Sequence, residues 1–433
     1  MSTPGPVALI PWGDVMEDYL EPLGLEFADF ARMTGGALYG YVEALAAAGQ
    51  SSMVICLSTR FERPVSHVHV PSGVRVMGIP MTSLYRRLHG RGGSQAGGAS
   101  GGPGAGRAGP ALLKSSWRTA APYLQTPLVE LARLLRKERC SAVMCQEYEY
   151  ARFDALVALG RFIGIPVFGY FQGGAPRRSA LEPAVRPMAM RLAAGVVVAP
   201  ASEAERVQTR YRVRRIARIP NPLGTSDLVP ADRTEARARY GIPQDHFVIA
   251  WHGRVYMELK GLDVLLDAWR AVAGAGAGQP VHLLLVGTGP DAAALRARLA
   301  GYPATEVTWI AAHVMDRAEI CAMLSAADVY VLSSRREGFP MAPLEAMYCG
   351  VPVVATDVSG IREILPDGEQ SGGIVVPIGD VDAMADALAR LLTDPPLRAT
   401  MARAARARAE DGFSPAGIGE QLVSLLQSRS TAP

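Results

Sequence analysis

Two glutamates, Glu337 and Glu345, bracket the seven residues Gly338-Phe339-Pro340-Met341-Ala342-Pro343-Leu344. Each carboxylate can accept hydrogen bonds from hydroxyls. The residues Gly338 to Ala342 read as a loop running into a helix, whose first backbone N–H groups form a natural anion site. Upstream, a strand-like run ends in Trp251-His252-Gly253-Arg254, and Lys260-Gly261 opens a helix carrying Asp263 and Leu265. Glycine lets backbone come close to a ligand. An arginine and a lysine at the mouth of a parallel sheet can neutralise a diphosphate from two sides. A second turn, Gly287-Thr288-Gly289-Pro290, follows Leu283-Leu284-Leu285-Val286. A ligand with phosphates in its middle and polyols at both ends fits this set.

These residues need a scaffold, and the hydrophobic pattern supplies one. In the first half Val7–Ile10, Met53–Leu57, Val74–Ile79, Ala142–Cys145, Pro166–Tyr170 and Gly195–Ala199 read as buried strands. Phe247–Trp251, Val281–Val286, Val307–Ile310, Val329–Leu332, Val353–Ala355 and Ile374–Val376 do so in the second. Amphipathic helices such as Ala37–Ala48, Leu262–Val272 and Ala383–Leu392 lie between them. Such alternation predicts an α/β protein with parallel sheets covered on both faces. Two blocks predict two doubly wound domains, 1–222 and 223–413, followed by a helix over 414–433 that packs back on the first domain. The Gly-rich stretch 90–110 cannot bury apolar surface and reads as a disordered insertion.

The 433 residues are 49% hydrophobic and 20% charged. That excludes a mostly disordered chain. Five cysteines without metal-ligand spacing exclude a disulfide scaffold and favour a reduced, cytoplasmic compartment. The net charge of +3 hides an asymmetry. Residues 1–221 hold 26 basic and 16 acidic side chains, a net +10, leaving 18 against 25, a net −7, for the remainder. A basic first half suits peripheral contact with an anionic inner membrane face.

The string from Gly253 to Asp382 resembles the retaining glycosyltransferases of family 4, of the GT-B type. The resemblance rests on Gly253-Arg254…Lys260-Gly261, the Gly-x-Gly-Pro turn, the Glu-x7-Glu motif, the strand Gly350–Thr356, and Gly360 before Glu363-Ile364. It implies two Rossmann-like domains facing across a cleft, with a nucleotide sugar donor and no metal or other cofactor. It implies that Arg254 and Lys260 hold the diphosphate and stabilise the leaving group, and that Glu337 holds hydroxyls of the donor sugar. Glu345 would bond the ribose. Gly253, Gly287, Gly338, Phe339, Pro340, Met341 and Ala342 would line the donor site. Gly35-Gly36 looks like the family's glycine loop, approaching the diphosphate from the other domain. The implied reaction moves a sugar to an acceptor hydroxyl with retained configuration. The acceptor would be a glycan, a lipid-linked molecule or a small natural product. A nucleotide-sugar epimerase on the same scaffold is the alternative. Nucleic acid is not expected as a partner.

The acceptor side departs from the family pattern. Where many relatives carry a histidine, this chain has Tyr170-Phe171-Gln172, and Gln172 is no base at neutral pH. Glu147 and Glu149, after the strand ending at Cys145, are the candidates for that side. The acidic segment Trp12–Glu21, with Glu17, Asp18 and Glu21, is expected to wall the acceptor pocket. Asp380-Val381-Asp382 spells a metal-type string but reads better as a helix cap.

Overall fold

A computed structural model describes residues 4–34, 36–89, 121–173, 181–226, 228–274 and 278–428. The Gly-rich stretch 90–110 and Gly35 lie outside them. The chain forms two compact units. One comprises Met1–Met33, Leu45–Ile219 and Gly419–Pro433, the other Thr34–Ala44 and Pro220–Ile418.

The first unit holds eight strands: β1 (Val7–Ile10), β2 (Ser52–Ser58), β3 (Val65–Val68), β4 (Arg75–Pro80), β5 (Ala142–Gln146), β6 (Val167–Tyr170), β7 (Gly195–Val198) and β8 (Ile216–Arg218). Their order is β3-β4-β2-β1-β5-β6-β7-β8. All neighbours pair parallel except β3, which runs antiparallel to β4. The six strands expected from hydrophobic runs are present. The pattern missed β3 and β8, which are the two edges. An edge strand has less apolar surface to bury, and the residues of β3 and β8 are only partly buried or exposed.

The second unit holds β9 (Phe247–His252), β10 (Val281–Val286), β11 (Val307–Ile310), β12 (Val329–Leu332), β13 (Val353–Thr356) and β14 (Gly373–Val376). These six pair parallel in the order β11-β10-β9-β12-β13-β14. The helix Leu262–Gly274 shows how the layers form. Its Leu262, Leu265, Leu266 and Trp269 recur at helical spacing and are buried in one cluster with Phe247, Ile249, Leu283 and Val331. Each such side chain contributes about 1.5–3 kcal/mol by leaving water. Asp380 caps the helix Val381–Thr393 by accepting from the Ala383 N–H at 2.9 Å, so the acid-x-acid string does serve as a cap.

Each sheet has a switch point where the strand order reverses across its middle. The first sheet reverses between β1 and β5, the second between β9 and β12. Loops leaving the carboxyl ends of those strands diverge to opposite faces, and the crevice between them is where open α/β sheets bind ligands.

A buried carboxylate fixes the base of the second sheet. Asp328, 3% exposed, accepts from Arg237 at 2.7 Å and from the Val248 N–H at 2.8 Å, and it also pairs with Arg233. Arg237 is itself 1% exposed. Asp328→Ala would leave that guanidinium uncompensated. It should cost about 3–5 kcal/mol in urea unfolding of this unit; a loss under about 1 kcal/mol would contradict the account.

Candidate functional site

The polar residues of the second unit collect at its switch point. β9 ends in His252, and the chain continues through Gly253, Arg254 and Val255. The Val255 N–H donates to the Thr288 carbonyl at 3.0 Å, which holds this segment against the glycine turn. Gly287 has φ +135°, and a Cβ there would stand 1.9 Å from the Gly253 carbonyl oxygen. Its glycine is therefore demanded by backbone packing, whatever else it lines. Arg254 lies over Tyr256, its guanidinium carbon 5.3 Å from the ring centroid.

Lys260 is positioned by a clamp. Gly261, at φ +59°, lets the turn press onto Ser333, whose carbonyl oxygen would lie 1.9 Å from any Cβ. Ser333 Oγ donates to the Lys260 carbonyl at 2.8 Å, and the Arg335 N–H to the Leu259 carbonyl at 2.9 Å. The Arg335 guanidinium then grips Asp263 with two bonds of 2.7 and 2.6 Å. Those bonds hold the Asp263 carboxyl below the usual carboxylate range, against its partial burial. So fixed, Lys260 Nζ donates to Glu337 Oε1 at 2.7 Å, and Ser334 Oγ donates to the same oxygen at 2.6 Å.

Glu345 stands on the helix Ala342–Tyr348. Its Oε2 lies 2.9 Å from His252 Nε2, and Arg317 Nη2 donates to Oε1 at 3.2 Å. Burial pushes this carboxyl up, but the His252 hydrogen bond and the Arg317 charge outweigh it and leave it below its ordinary value. Arg317, 5% exposed, also donates to the Gly224 carbonyl at 2.7 Å. Between the two glutamates Gly338, Phe339 and Pro340 are buried, and Met341 and Ala342 are half-buried. Met341, at the start of that helix, makes no side-chain cap. The structure thus gathers Lys260 with Glu337, and His252 with Glu345. Sequence reasoning missed Arg317 and Arg335, which reach the site only through the fold. The one local sign was Asp316, which caps the helix that presents Arg317.

Gly36 opens the helix Gly36–Ala47. Thr34 Oγ1 donates to the Met315 carbonyl at 3.1 Å, Tyr41 OH to Asn221 at 3.1 Å, and the Thr225 N–H to Glu43 at 2.9 Å. Residues 34–44 therefore belong to the second unit, although they lie within the 1–222 assigned to the first domain from sequence.

In the first unit most of the acidic candidates are engaged. Glu17, 9% exposed, accepts from Ser58 Oγ at 2.8 Å and the Thr59 N–H at 2.9 Å, capping the end of β2. Asp18 accepts from the Asp14 N–H at 3.0 Å within the π-helical turn Val15–Leu20. Glu21 pairs with Arg60. Glu149 is buried and paired with Arg206 and Arg186. Glu147, at φ +61° and 2% exposed, accepts from the Gln172 N–H at 3.1 Å. Asp14 is pushed up to about 7, chiefly by burial and in part by Asp18 and Glu17, against the pull of Arg152.

Residues 246–394 match the family model described as Glycosyl transferases group 1. The matched stretch lies within the second unit. Alpha-D-kanosaminyltransferase of Streptomyces kanamyceticus is 32% identical over 216 residues, 50% of this chain and 54% of that protein. D-inositol 3-phosphate glycosyltransferase of Mycobacterium avium is 38% identical over 187 residues, 42% of each chain. The chain spans about half the length of the curated relatives it matches. Among solved structures, sucrose-phosphate synthase from Thermosynechococcus elongatus has a TM-score of 0.67 at 20% identity, over 97% of this chain and 98% of that one. Anabaena HepE in complex with UDP has a TM-score of 0.68 at 16% identity, over 98% and 100%. At such identities the likeness is one of fold: two Rossmann-like parallel-sheet domains of the GT-B class.

The Asp14 proton gives a pH test. The folded state keeps it up to about pH 7, whereas the unfolded chain releases it near 3.8. Between those values the folded state binds more protons, so this contribution to stability falls as pH rises. Asp14→Asn removes the effect. Its melting temperature should match wild type near pH 4 and exceed it by a few degrees, about, near pH 7; a gap independent of pH in calorimetry would refute this.

Proposed function

We propose that this protein is a glycosyltransferase that moves a sugar from a nucleotide-diphosphate sugar to an acceptor hydroxyl, with retention of anomeric configuration. The observation that carries the reading is the pairing of Lys260 with Glu337 at the switch point of the sheet whose residues match glycosyl transferases group 1, beside the half-buried Glu345. HepE, solved with UDP, shares the fold. The relatives named above are all transferases, which leaves the epimerase reading without support.

Lys260 would trade Glu337 for an oxygen of the donor diphosphate, and Arg254 would approach the same group. That exchange frees Glu337 to accept from hydroxyls of the transferred sugar. Glu345, kept ionised by His252 and Arg317, has lone pairs left for the ribose hydroxyls. As the bond from the anomeric carbon to the phosphate oxygen breaks, negative charge grows on the diphosphate. Once they have met the diphosphate, Lys260 and Arg254 would stabilise that charge. The acceptor oxygen bonds to the anomeric carbon from the same face, and its proton passes to a phosphate oxygen of the leaving group. No carboxylate base is needed on the acceptor side, which fits the engagement of Glu147 and Glu149. The net +10 of residues 1–221 supports peripheral contact with anionic lipid, and among the described residues no helix is long and apolar enough to cross a membrane.

A thermal-shift screen with UDP, GDP, ADP and TDP sugars tests the donor side. The right nucleotide should raise the melting temperature by mass action, and no response to any of them would sink the reading. With that donor, Glu337→Ala should abolish transfer while the fold survives. Lys260→Ala should cost about 2–4 kcal/mol in the transition state, measured as kcat/KM. Proton NMR of the product reports whether configuration is retained.

A further inference from the structure

The switch point of the first sheet carries a second constellation, which the donor chemistry does not use. Trp12 follows β1 and keeps 40% of its surface exposed. Its ring stacks on Tyr150, after β5, with centroids 5.8 Å apart and planes at 26°. Exposure does not make this indole loose. Arg152, 3% exposed, donates to the Pro11 carbonyl at 3.0 Å and the Gly13 carbonyl at 2.5 Å, bracing the backbone on both sides of Trp12. The Trp12 backbone N–H donates to Gln146 Oε1 at 3.4 Å. Gln146, last residue of β5 and 8% exposed, donates through Nε2 to Gln172 Oε1. The chain of amides ends there: Gln172 Nε2 is buried and has no hydrogen-bond partner among the described residues. A buried donor left unpaired is costly, and such groups are normally completed by a water or a ligand.

A rigid aromatic face linked through Gln146 to a spare amide donor matches one kind of molecule. A cyclic polyol presents a face of C–H groups and a rim of hydroxyls. An acyclic polyol cannot hold its C–H groups in one plane, and a purely apolar ring has nothing for the amide. We propose that Trp12 and Tyr150 form a stacking platform for a cyclic polyol, a pyranose or cyclitol ring of the acceptor, and that Gln172 donates to one of its hydroxyls. Arg152 and Gln146 act as positioning residues. This rests on the transferase reading for the word acceptor, but the binding site itself does not.

Saturation-transfer NMR on the full-length protein tests the platform without a reaction. The probes are methyl α-D-glucopyranoside, methyl α-D-mannopyranoside, methyl α-D-galactopyranoside and myo-inositol, with sorbitol as the acyclic comparison. At least one cyclic probe should take up saturation at its ring C–H protons, and sorbitol should not. Trp12→Ala should weaken that probe's binding about tenfold. Trp12→Phe should retain part of it, and Gln172→Leu should weaken it with the aromatic pair intact. The melting shift given by the nucleotide should be unchanged in Trp12→Ala, which also shows that the variant is folded. No signal from any cyclic probe, equal signal from sorbitol, or full signal in Trp12→Ala would overturn the proposal. A protein that binds a cyclic probe through Trp12 but responds to no nucleotide would keep the platform and defeat the transferase reading instead.

Discussion

Everything at the candidate donor site depends on bringing two loops of like origin to one place. Lys260 and Glu337 are 77 positions apart, yet their side chains meet at 2.7 Å. The loops leave the ends of β9 and β12, which are neighbours only because the sheet reverses its order there. A parallel sheet fixes those ends rigidly, since each strand is buried on both faces and paired on both sides. The backbone contact of Gly261 with Ser333 then sets the height of the lysine, and the Arg335–Asp263 fork keeps the loops from separating. None of these supporting groups needs to touch a ligand to matter, because a shift of an ångström in Lys260 would misplace its charge.

Charge at the site is arranged in layers. Glu345 is a carboxylate in a mostly buried place, and such a group survives ionised only with partners. Arg317 and His252 supply them, and Arg317 is tied in turn to the Gly224 carbonyl. The base of the sheet repeats this logic with Asp328 and Arg237. The acidic surplus of residues 222–433 is thus partly an internal matter, with carboxylates balanced by arginines inside the unit. The first unit does the same with Glu149, Arg206, Arg186 and Asp154. That pairing engages the Glu149 carboxylate on both oxygens.

Much of the fold was legible in the sequence, for a reason particular to buried parallel strands. Their apolar runs are continuous, so Leu283–Val286 or Val353–Ala355 announce themselves without knowledge of neighbours. The edge strands β3 and β8 did not, since half-exposed strands have weaker patterns. Gly253-Arg254, Lys260-Gly261, Glu337 and Glu345 were legible because they are tied to strand ends by short, fixed spacings. Arg317 was not, because its role depends on where its helix packs and not on what flanks it. Nor were the partners of Glu17 legible: in a segment expected to wall the acceptor pocket, its carboxylate turns inward to cap β2.

The sequence by itself determined the alternation of strands and helices, the order of the donor-side motif and its likeness to glycosyl transferases group 1. These are properties of local spacing, and local spacing survives without coordinates. Tertiary structure decided which charges are engaged and which are presented. It assigned residues 34–44 to the second unit through Thr34, Tyr41 and Glu43, and tied Glu149 to two arginines. It also left Trp12 exposed over Tyr150, and Gln172 Nε2 without a partner among the described residues. Engagement of a side chain is a matter of burial and of partners far away along the chain, and no spacing rule encodes either.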